Sequence, residues 1–291
     1  MNIRFLQKHL KQNNLYLKKA LSQNFLIDEN IQKKIVRSAS PTGHVVLEIG
    51  PGAGMLTDAL VPISKFVIAI EKDSHFAGFL KEKFSSGVEV IENDFLKISL
   101  EEELEKLSLK GAKVKVIANI PYQITTPILA KLLTNLQQID SITLMVQEEV
   151  AQRIISNPNT KSYGRLSIFC QFYTYPKYLF SVSRNCFYPR PKVQSAVIQL
   201  KPREELLLEK KLQELFFSIV KRSFQYRRKT LVHIFKKIYP STDIINALAN
   251  IGKDSRARGE QLSINDFIQI TKFLSKITTT EDTDYSKNNR S

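Results

Sequence analysis

From Val45 onward, short apolar runs rich in β-branched residues alternate with segments whose apolar positions recur at helical spacing. The strand candidates are Val45–Ile49, Phe66–Ile70, Val88–Ile91, Val114–Ala118 and Ile142–Val146, with amphipathic segments such as Phe76–Phe84 and Pro127–Leu136 between them. Five strand-helix units over residues 45–155 predict a parallel sheet with crossover helices. Ser167–Phe172 and Val193–Leu200 are also strand-like. A loop with Pro189 and Pro191 separates them where a crossover helix would stand, so they predict an antiparallel pair finishing the sheet.

This closes a first domain near Pro202. Beyond it, Leu212, Leu215, Phe216, Ile219 and Val220 follow helical spacing, as do Leu231, Ile234 and Phe235. Ile244, Ala247, Leu248 and Ile251 predict another helix, and Ser263-Ile264-Asn265-Asp266 is a capping box that opens a last one through Phe273. After Ile277 the residues are mostly Thr, Asp, Ser, Lys and Asn, which predicts a disordered tail. The expected organisation is an α/β domain over residues 1–202, a small all-helical domain over 203–277 and a tail over 278–291.

Composition narrows the classes of function. At 291 residues and 43% hydrophobic content the chain can bury a sizeable core, and a formal charge of +15 favours a polyanionic partner such as nucleic acid. Met1 to Ile27 holds five Lys or Arg and no acid, and reads as a basic arm; Leu215 to Thr242 holds seven and no acid, interleaved with Phe224 and Tyr226. Within that second stretch, Arg227, Arg228 and Lys229 are candidates for gripping RNA phosphates, against the plainer reading of a solvated helix face. Cys170 and Cys186 lack metal-ligand spacing and the four histidines are scattered, so no metal is expected. With no signal-like opening and no long apolar run, a cytoplasmic protein is expected, off the membrane.

The chemistry concentrates at strand ends. Glu48-Ile49-Gly50-Pro51-Gly52-Ala53-Gly54 follows the first strand, where glycines permit a tight turn and close approach of backbone to a ligand. The spacing departs from the dinucleotide fingerprint built around a pyrophosphate, so a nucleoside cofactor without phosphate fits better. Glu71 ends the second strand, where an acid accepts hydrogen bonds from ribose hydroxyls, and Asn93-Asp94-Phe95 ends the third, where Asp94 could meet an adenine amine. Each alone could be a mere turn or cap. Together and in order they look like a class I S-adenosylmethionine methyltransferase, with its Rossmann-like, mostly parallel seven-stranded sheet.

Asn119-Ile120-Pro121-Tyr122 follows the fourth strand at the same edge. An exocyclic adenine amine is a poor nucleophile because its lone pair is delocalised. The Asn119 side-chain oxygen and a backbone carbonyl could accept its hydrogens and favour a pyramidal nitrogen. Tyr122 could stack on the base and Phe187 could cover its other face.

These motifs resemble those of the ribosomal RNA adenine dimethyltransferases over about Leu21 to Ser263. Gln23-Asn24-Phe25-Leu26-Ile27-Asp28 is similar to the family's cofactor-covering motif, Glu48–Thr57 to its glycine loop and Asn119–Tyr122 to its catalytic motif. Tyr163–Ser167, Phe187–Val193, Arg227–Leu231 and Arg258–Ser263 are similar to further family segments. Ser22 and Gln123 stand where glycine and asparagine are common. The resemblance implies cofactor contacts at Asn24, Leu26, Gly50, Glu71, Asp94 and Asn119, and an aromatic at Phe187 that closes over the target base. Thr126-Pro127-Ile128-Leu129, the Pro189/Pro191 loop and the C-terminal match resemble the small-subunit enzymes more than the large-subunit enzymes that confer macrolide resistance. The implied activity is N6,N6-dimethylation of two adjacent adenines near the 3′ end of small-subunit ribosomal RNA, with S-adenosylmethionine as donor and the immature small subunit as partner. A monomer is expected. The competing readings are the large-subunit enzyme, a DNA adenine methyltransferase, which Ile120 disfavours, and a non-catalytic RNA-binding assembly factor.

Overall fold

The structure is a computed structural model that describes residue 12, residues 24–106 and residues 113–288, with side chains through residue 277. Most of the basic arm at residues 1–27 lies outside the described residues.

In chain order the strands are β1 (Phe25–Leu26), β2 (Val45–Ile49), β3 (Phe66–Glu71), β4 (Val88–Glu92), β5 (Val114–Asn119), β6 (Ile139–Gln147), β7 (Thr174–Val182), β8 (Phe187–Tyr188) and β9 (Ser195–Pro202). Seven of them form one sheet in the order β4-β3-β2-β5-β6-β9-β7. β2 to β6 pair in parallel, and β9 runs antiparallel to both β6 and β7. Every residue of β2 is buried, as expected of a strand covered on both faces by crossover helices. A separate antiparallel pair joins β1 to β8, with Phe25 opposite Tyr188 and Leu26 opposite Phe187.

α1 (Glu29–Ala39) precedes β2, and the crossovers are α2 (Thr57–Leu60), α3 (Ser74–Lys83), α4 (Leu100–Lys106) and α5 (Thr125–Thr134). Asp28 caps α1, its carboxylate accepting the N–H groups of Asn30 and Ile31, which gives the last residue of the Gln23–Asp28 motif a structural task. Under the sheet, Val46, Val67, Ala77, Leu80 and Ile117 pack into one core with Leu26 and Val36.

One strand expectation is overturned. Ser167–Phe172 lies within a helix, α7 (Arg165–Tyr173), which follows α6 (Glu148–Ile155), and the strand beside β9 is the next segment, β7. That segment contains Pro176. β7 is an edge strand, where a missing N–H costs little. On α7, Ile168 and Phe172 are four residues apart on one face and enter a helical core.

The chain divides into two compact units, residues 1–152 with 174–202, and residues 153–173 with 203–291. The boundary expected at residue 202 is therefore crossed by residues 153–173, which belong to the helical unit. That unit also holds α8 (Lys210–Gln225), α9 (Leu231–Phe235), α10 (Ser241–Ala249) and α11 (Ile264–Asn288). Phe172, Phe216, Leu248, Phe267 and Leu274 form its core. The capping box is present, with Ser263 Oγ accepting from the Asp266 N–H at 3.1 Å and Asp266 Oδ2 accepting from the Ser263 N–H at 2.8 Å. A β-carbon at Gly259 would lie 2.8 Å from Ser223 Cβ, so only glycine lets this turn approach α8. α11 continues through residues 278–288, where a disordered tail was expected, because propagation of a helix needs no apolar face.

Candidate active site

The site lies at the carboxyl ends of β2, β3, β4 and β5, where the strand order reverses on either side of β2. A cavity of about 280 Å³ opens there, and Asn24, Leu26, Gly50, Glu71, Asp94, Asn119 and Tyr122 all line it. Phe25, Met55, Phe95, Ile120 and Ile128 supply apolar wall, the usual composition of a small-molecule site.

The glycine loop is held from three directions. Gly50, Gly52 and Gly54 have φ of 68°, 56° and 76°, which glycine adopts without strain. A β-carbon at Gly52 would come within 2.6 Å of the Phe25 ring. The Gly52 N–H donates to Glu71 Oε2 at 2.9 Å, and the Gly50 N–H donates to the Ile70 carbonyl at 2.9 Å. Beneath the loop, Thr57 Oγ1 donates to the buried Glu48 carboxyl at 2.7 Å. Burial pushes the Glu48 carboxyl up to about 8, while the Thr57 hydroxyl works in the opposite sense.

Glu71 is also buried, and burial raises its carboxyl above the ordinary range although the Asp73 and Gly52 N–H groups oppose this. Each of its oxygens accepts one N–H and keeps room to accept a further donor from the cavity. For Asp94, burial again works against ionisation. The Lys72 ammonium at 2.9 Å and the Leu96 N–H at 3.0 Å outweigh it and hold this carboxylate below its usual range. Lys131 donates to the carbonyls of Phe95 and Ile98 and lies over the Phe95 ring, anchoring the loop that follows Asp94. A glycine turn, an acid at a ribose position and an acid beside an aromatic wall fit a nucleoside cofactor.

Asn119 ends β5, and its Nδ2 donates to the backbone carbonyl of Asn24 at 3.1 Å. A carbonyl can only accept, so this bond fixes which end of the amide is the nitrogen. Tyr122 follows Pro121 in a one-turn 3₁₀ segment, and its hydroxyl is 2.6 Å from Ser195 Oγ. Burial raises the Tyr122 phenol. The nearest atom to a β-carbon built on Gly50 is Pro121 Cδ, at 3.9 Å, so the glycine loop and this turn are neighbours.

Phe187 differs from its expected role. It is 2% exposed and packs in the core with Leu26, Met145, Val182 and Val197, and it is not among the residues lining the cavity. Its apolar ring gains more from the core than from a wet cleft, and it reaches the site only through its backbone pairing with Leu26. Lys72 and Ser195 were missed. Lys72 follows Glu71 directly and was legible as a cation at the pocket, whereas no local pattern marks Ser195.

In the helical unit, the three basic candidates part company. Arg227 donates from Nε to Glu260 at 2.5 Å, from Nη1 to the Lys161 carbonyl at 2.8 Å and from Nη2 to the Thr160 carbonyl at 3.0 Å. It clamps three segments of its own unit, while Arg228 and Lys229 are exposed. Among the described residues there is no cluster suited to a metal ion and no helix long and apolar enough to cross a membrane.

Residues 14–276 match the family model described as ribosomal RNA adenine dimethylase. The chain is 44% identical over 268 residues to a protein named ribosomal RNA small subunit methyltransferase A from Protochlamydia amoebophila, spanning 91% of this chain and 94% of that one. A protein of the same name from Listeria monocytogenes is 41% identical over 274 residues, spanning 91% and 93%. Among solved structures, a dimethyladenosine transferase from Plasmodium falciparum is similar at a TM-score of 0.72 and 28% identity, covering 84% of this chain and 95% of that one. The 23S rRNA methyltransferase ErmE is similar at 0.68 and 28%, covering 86% and 99%. With a family match across nearly the whole length and the strand-end motifs in one cavity, the chain belongs to the ribosomal RNA adenine dimethylase family.

Proposed function

We propose that this chain uses S-adenosylmethionine to dimethylate the N6 amines of two adjacent adenines near the 3′ end of small-subunit ribosomal RNA. The orientation of Asn119 carries the reading. With its nitrogen donating to the Asn24 carbonyl, its Oδ1 is left to accept an N–H from an incoming amine at the mouth of the cavity. Accepting that hydrogen draws the adenine nitrogen toward a pyramidal shape and aims its lone pair into the cavity. Tyr122 offers a ring on which a base extruded from its stack can rest. The nitrogen becomes acidic as it gains a methyl group, so no strongly basic side chain is needed.

Bound in the cavity, S-adenosylmethionine supplies a methyl group already activated by its sulfonium. The loop at Gly50 would hold the methionine portion, Glu71 the ribose hydroxyls and Asp94 the adenine amine, with Asn24 and Leu26 as cover. The names of the Protochlamydia and Listeria relatives support small-subunit RNA as the substrate; an immature small subunit as partner and a cytoplasmic monomer as the acting form complete the proposal. Arg228 and Lys229 are the proposed phosphate contacts, and Arg227 supports them from beneath.

The direct test offers labelled methyl donor and unmodified small or large ribosomal particles to the purified chain. Label on two adjacent adenines of the small-subunit RNA is expected; label on large-subunit RNA, or on neither, would overturn the reading. Asn119→Ala is expected to lose roughly 10²- to 10³-fold in turnover at saturating donor, the effect of deleting one preorganised transition-state partner. Unchanged turnover would remove Asn119 from the reaction.

The Glu48 carboxyl also sets a pH dependence. Its folded value of about 8 lies above the ordinary 4.5, so between these limits the folded chain holds a proton that the unfolded chain has released, and stability falls as pH rises. Urea unfolding of Glu48→Gln and the natural chain should therefore give a difference that grows in favour of the variant from about pH 5 to about pH 8. A pH-independent difference would contradict the assigned burial effect. Finally, Arg228→Ala with Lys229→Ala is expected to weaken RNA binding and shrink its salt dependence by about two phosphate contacts with no change in unfolding midpoint. Arg227→Ala should instead lower stability by about 1–3 kcal/mol. The opposite partition would reverse these assignments.

A further inference from the structure

Tyr122 stands out because it lines the cavity while its hydroxyl is bonded to a residue that does not. That hydroxyl is 2.6 Å from Ser195 Oγ, across 73 residues of sequence. Ser195 opens β9 and is fully buried. Its backbone is gripped from both sides, opposite Gln147 of β6 and opposite Val182 of β7. At its other end, Tyr122 begins the 3₁₀ turn set by Pro121, in which the Thr125 N–H donates to the Tyr122 carbonyl. The ring is thus fixed at the backbone and again at its tip.

This double attachment has a geometric consequence. A phenyl ring held only at Cβ can swing about its two side-chain torsions, and χ2 of an aromatic is a broad well. Tying the tip removes much of that freedom, so the plane of the ring is set by the sheet. A base stacked on the ring takes the same plane, and that plane determines where its exocyclic nitrogen lies relative to Asn119 Oδ1. A strongly bound base could still be misaligned if the ring leaned, because stacking tolerates sliding that methyl transfer does not.

We propose that Ser195 is a positioning residue for methyl transfer, which holds the Tyr122 hydroxyl and thereby sets the plane in which the acceptor adenine is presented to Asn119. It acts through Tyr122 and touches neither substrate. The inference rests on the reading of Tyr122 as the stacking surface for adenine.

The test is a double-mutant cycle on the full chain with Ser195→Ala, Tyr122→Phe and the pair, each of which removes only a hydroxyl. Unmodified small ribosomal particles and labelled methyl donor are the substrates. Each single variant is expected to lose roughly tenfold in kcat, the scale of one hydrogen bond, with KM for the particle and donor affinity by calorimetry unchanged. The pair should be no slower than either single variant, because both break the same bond. A buried serine serving only the packing of β9 would instead give additive losses and no split between kcat and KM, and either of these would overturn the inference. Should Ser195→Ala fail to fold, Tyr122→Phe decides alone, and wild-type kcat in that variant removes the tether from the mechanism. If the natural chain transfers no methyl group to the particle, the underlying reading falls and takes this inference with it. If the natural chain is active and the variants match it, this inference alone falls.

Discussion

A single backbone carbonyl decides what Asn119 can do. An amide side chain offers two donors on one end and an acceptor on the other, and a free asparagine at a cavity mouth would present either. The Asn24 carbonyl takes the donor end, and what remains toward the cavity is oxygen, the only atom of the side chain able to accept from an amine. Asn24 is in turn placed by the two residues that follow it. Phe25 and Leu26 pair with Tyr188 and Phe187, and the Ile27 N–H donates to the Cys186 carbonyl. The short β1–β8 ladder therefore reaches the cavity through main chain, by way of Asn24 and its bond to Asn119. This accounts for a Phe187 that is buried in the core and still belongs to a motif of the site. Its side chain holds the ladder down, and the ladder positions Asn24.

The electrostatics of the cavity follow the same economy. Three carboxyl groups border it, yet they differ in how readily they carry charge. Glu48 and Glu71 are raised by burial, whereas Asp94 is held ionised by Lys72. A cavity that burdened all three with full charge would be costly without a cation inside. Glu48, raised by burial to about 8, accepts the Thr57 hydroxyl beneath the glycine loop and adds little negative charge to the cavity near neutral pH. The acids then have separate surroundings. Glu48 meets Thr57 beneath the loop, Glu71 ties the loop to β3 at the cavity wall, and Asp94 is paired with Lys72 at the cavity.

The local motifs at strand ends were legible because they combine chain order with short-range constraints. Gly50, Glu71, Asp94 and Asn119 each follow an apolar run, and a parallel sheet with crossovers brings such positions to one edge. What escaped was set by partners distant in sequence. Ser195 is an ordinary small polar residue until the fold brings it beside Tyr122. Ser167–Phe172 reads as a strand from its composition, and its helical state comes from burial of Ile168 and Phe172 in the second core. β7, not anticipated from the sequence, carries Pro176, which its place at the sheet edge makes harmless. In each case tertiary context outweighed local preference.

The basic residues teach the same lesson in charge. Arg227, Arg228 and Lys229 are adjacent and look equivalent as a run. A guanidinium, however, has a planar fork of donors that suits several fixed acceptors at once, and Arg227 meets a carboxylate and two carbonyls in that manner. Those acceptors come from residues 160, 161 and 260, so the turn that carries Arg228 and Lys229 is bound to two other segments of its unit. A cation spent on internal acceptors contributes little to the long-range attraction of a polyanion, but it stiffens the surface on which its neighbours act. Preorganised cations lose less conformational entropy when they meet phosphate than cations on a loose turn. Within this run, Arg227 is committed to internal acceptors, whereas Arg228 and Lys229 keep their cationic groups exposed.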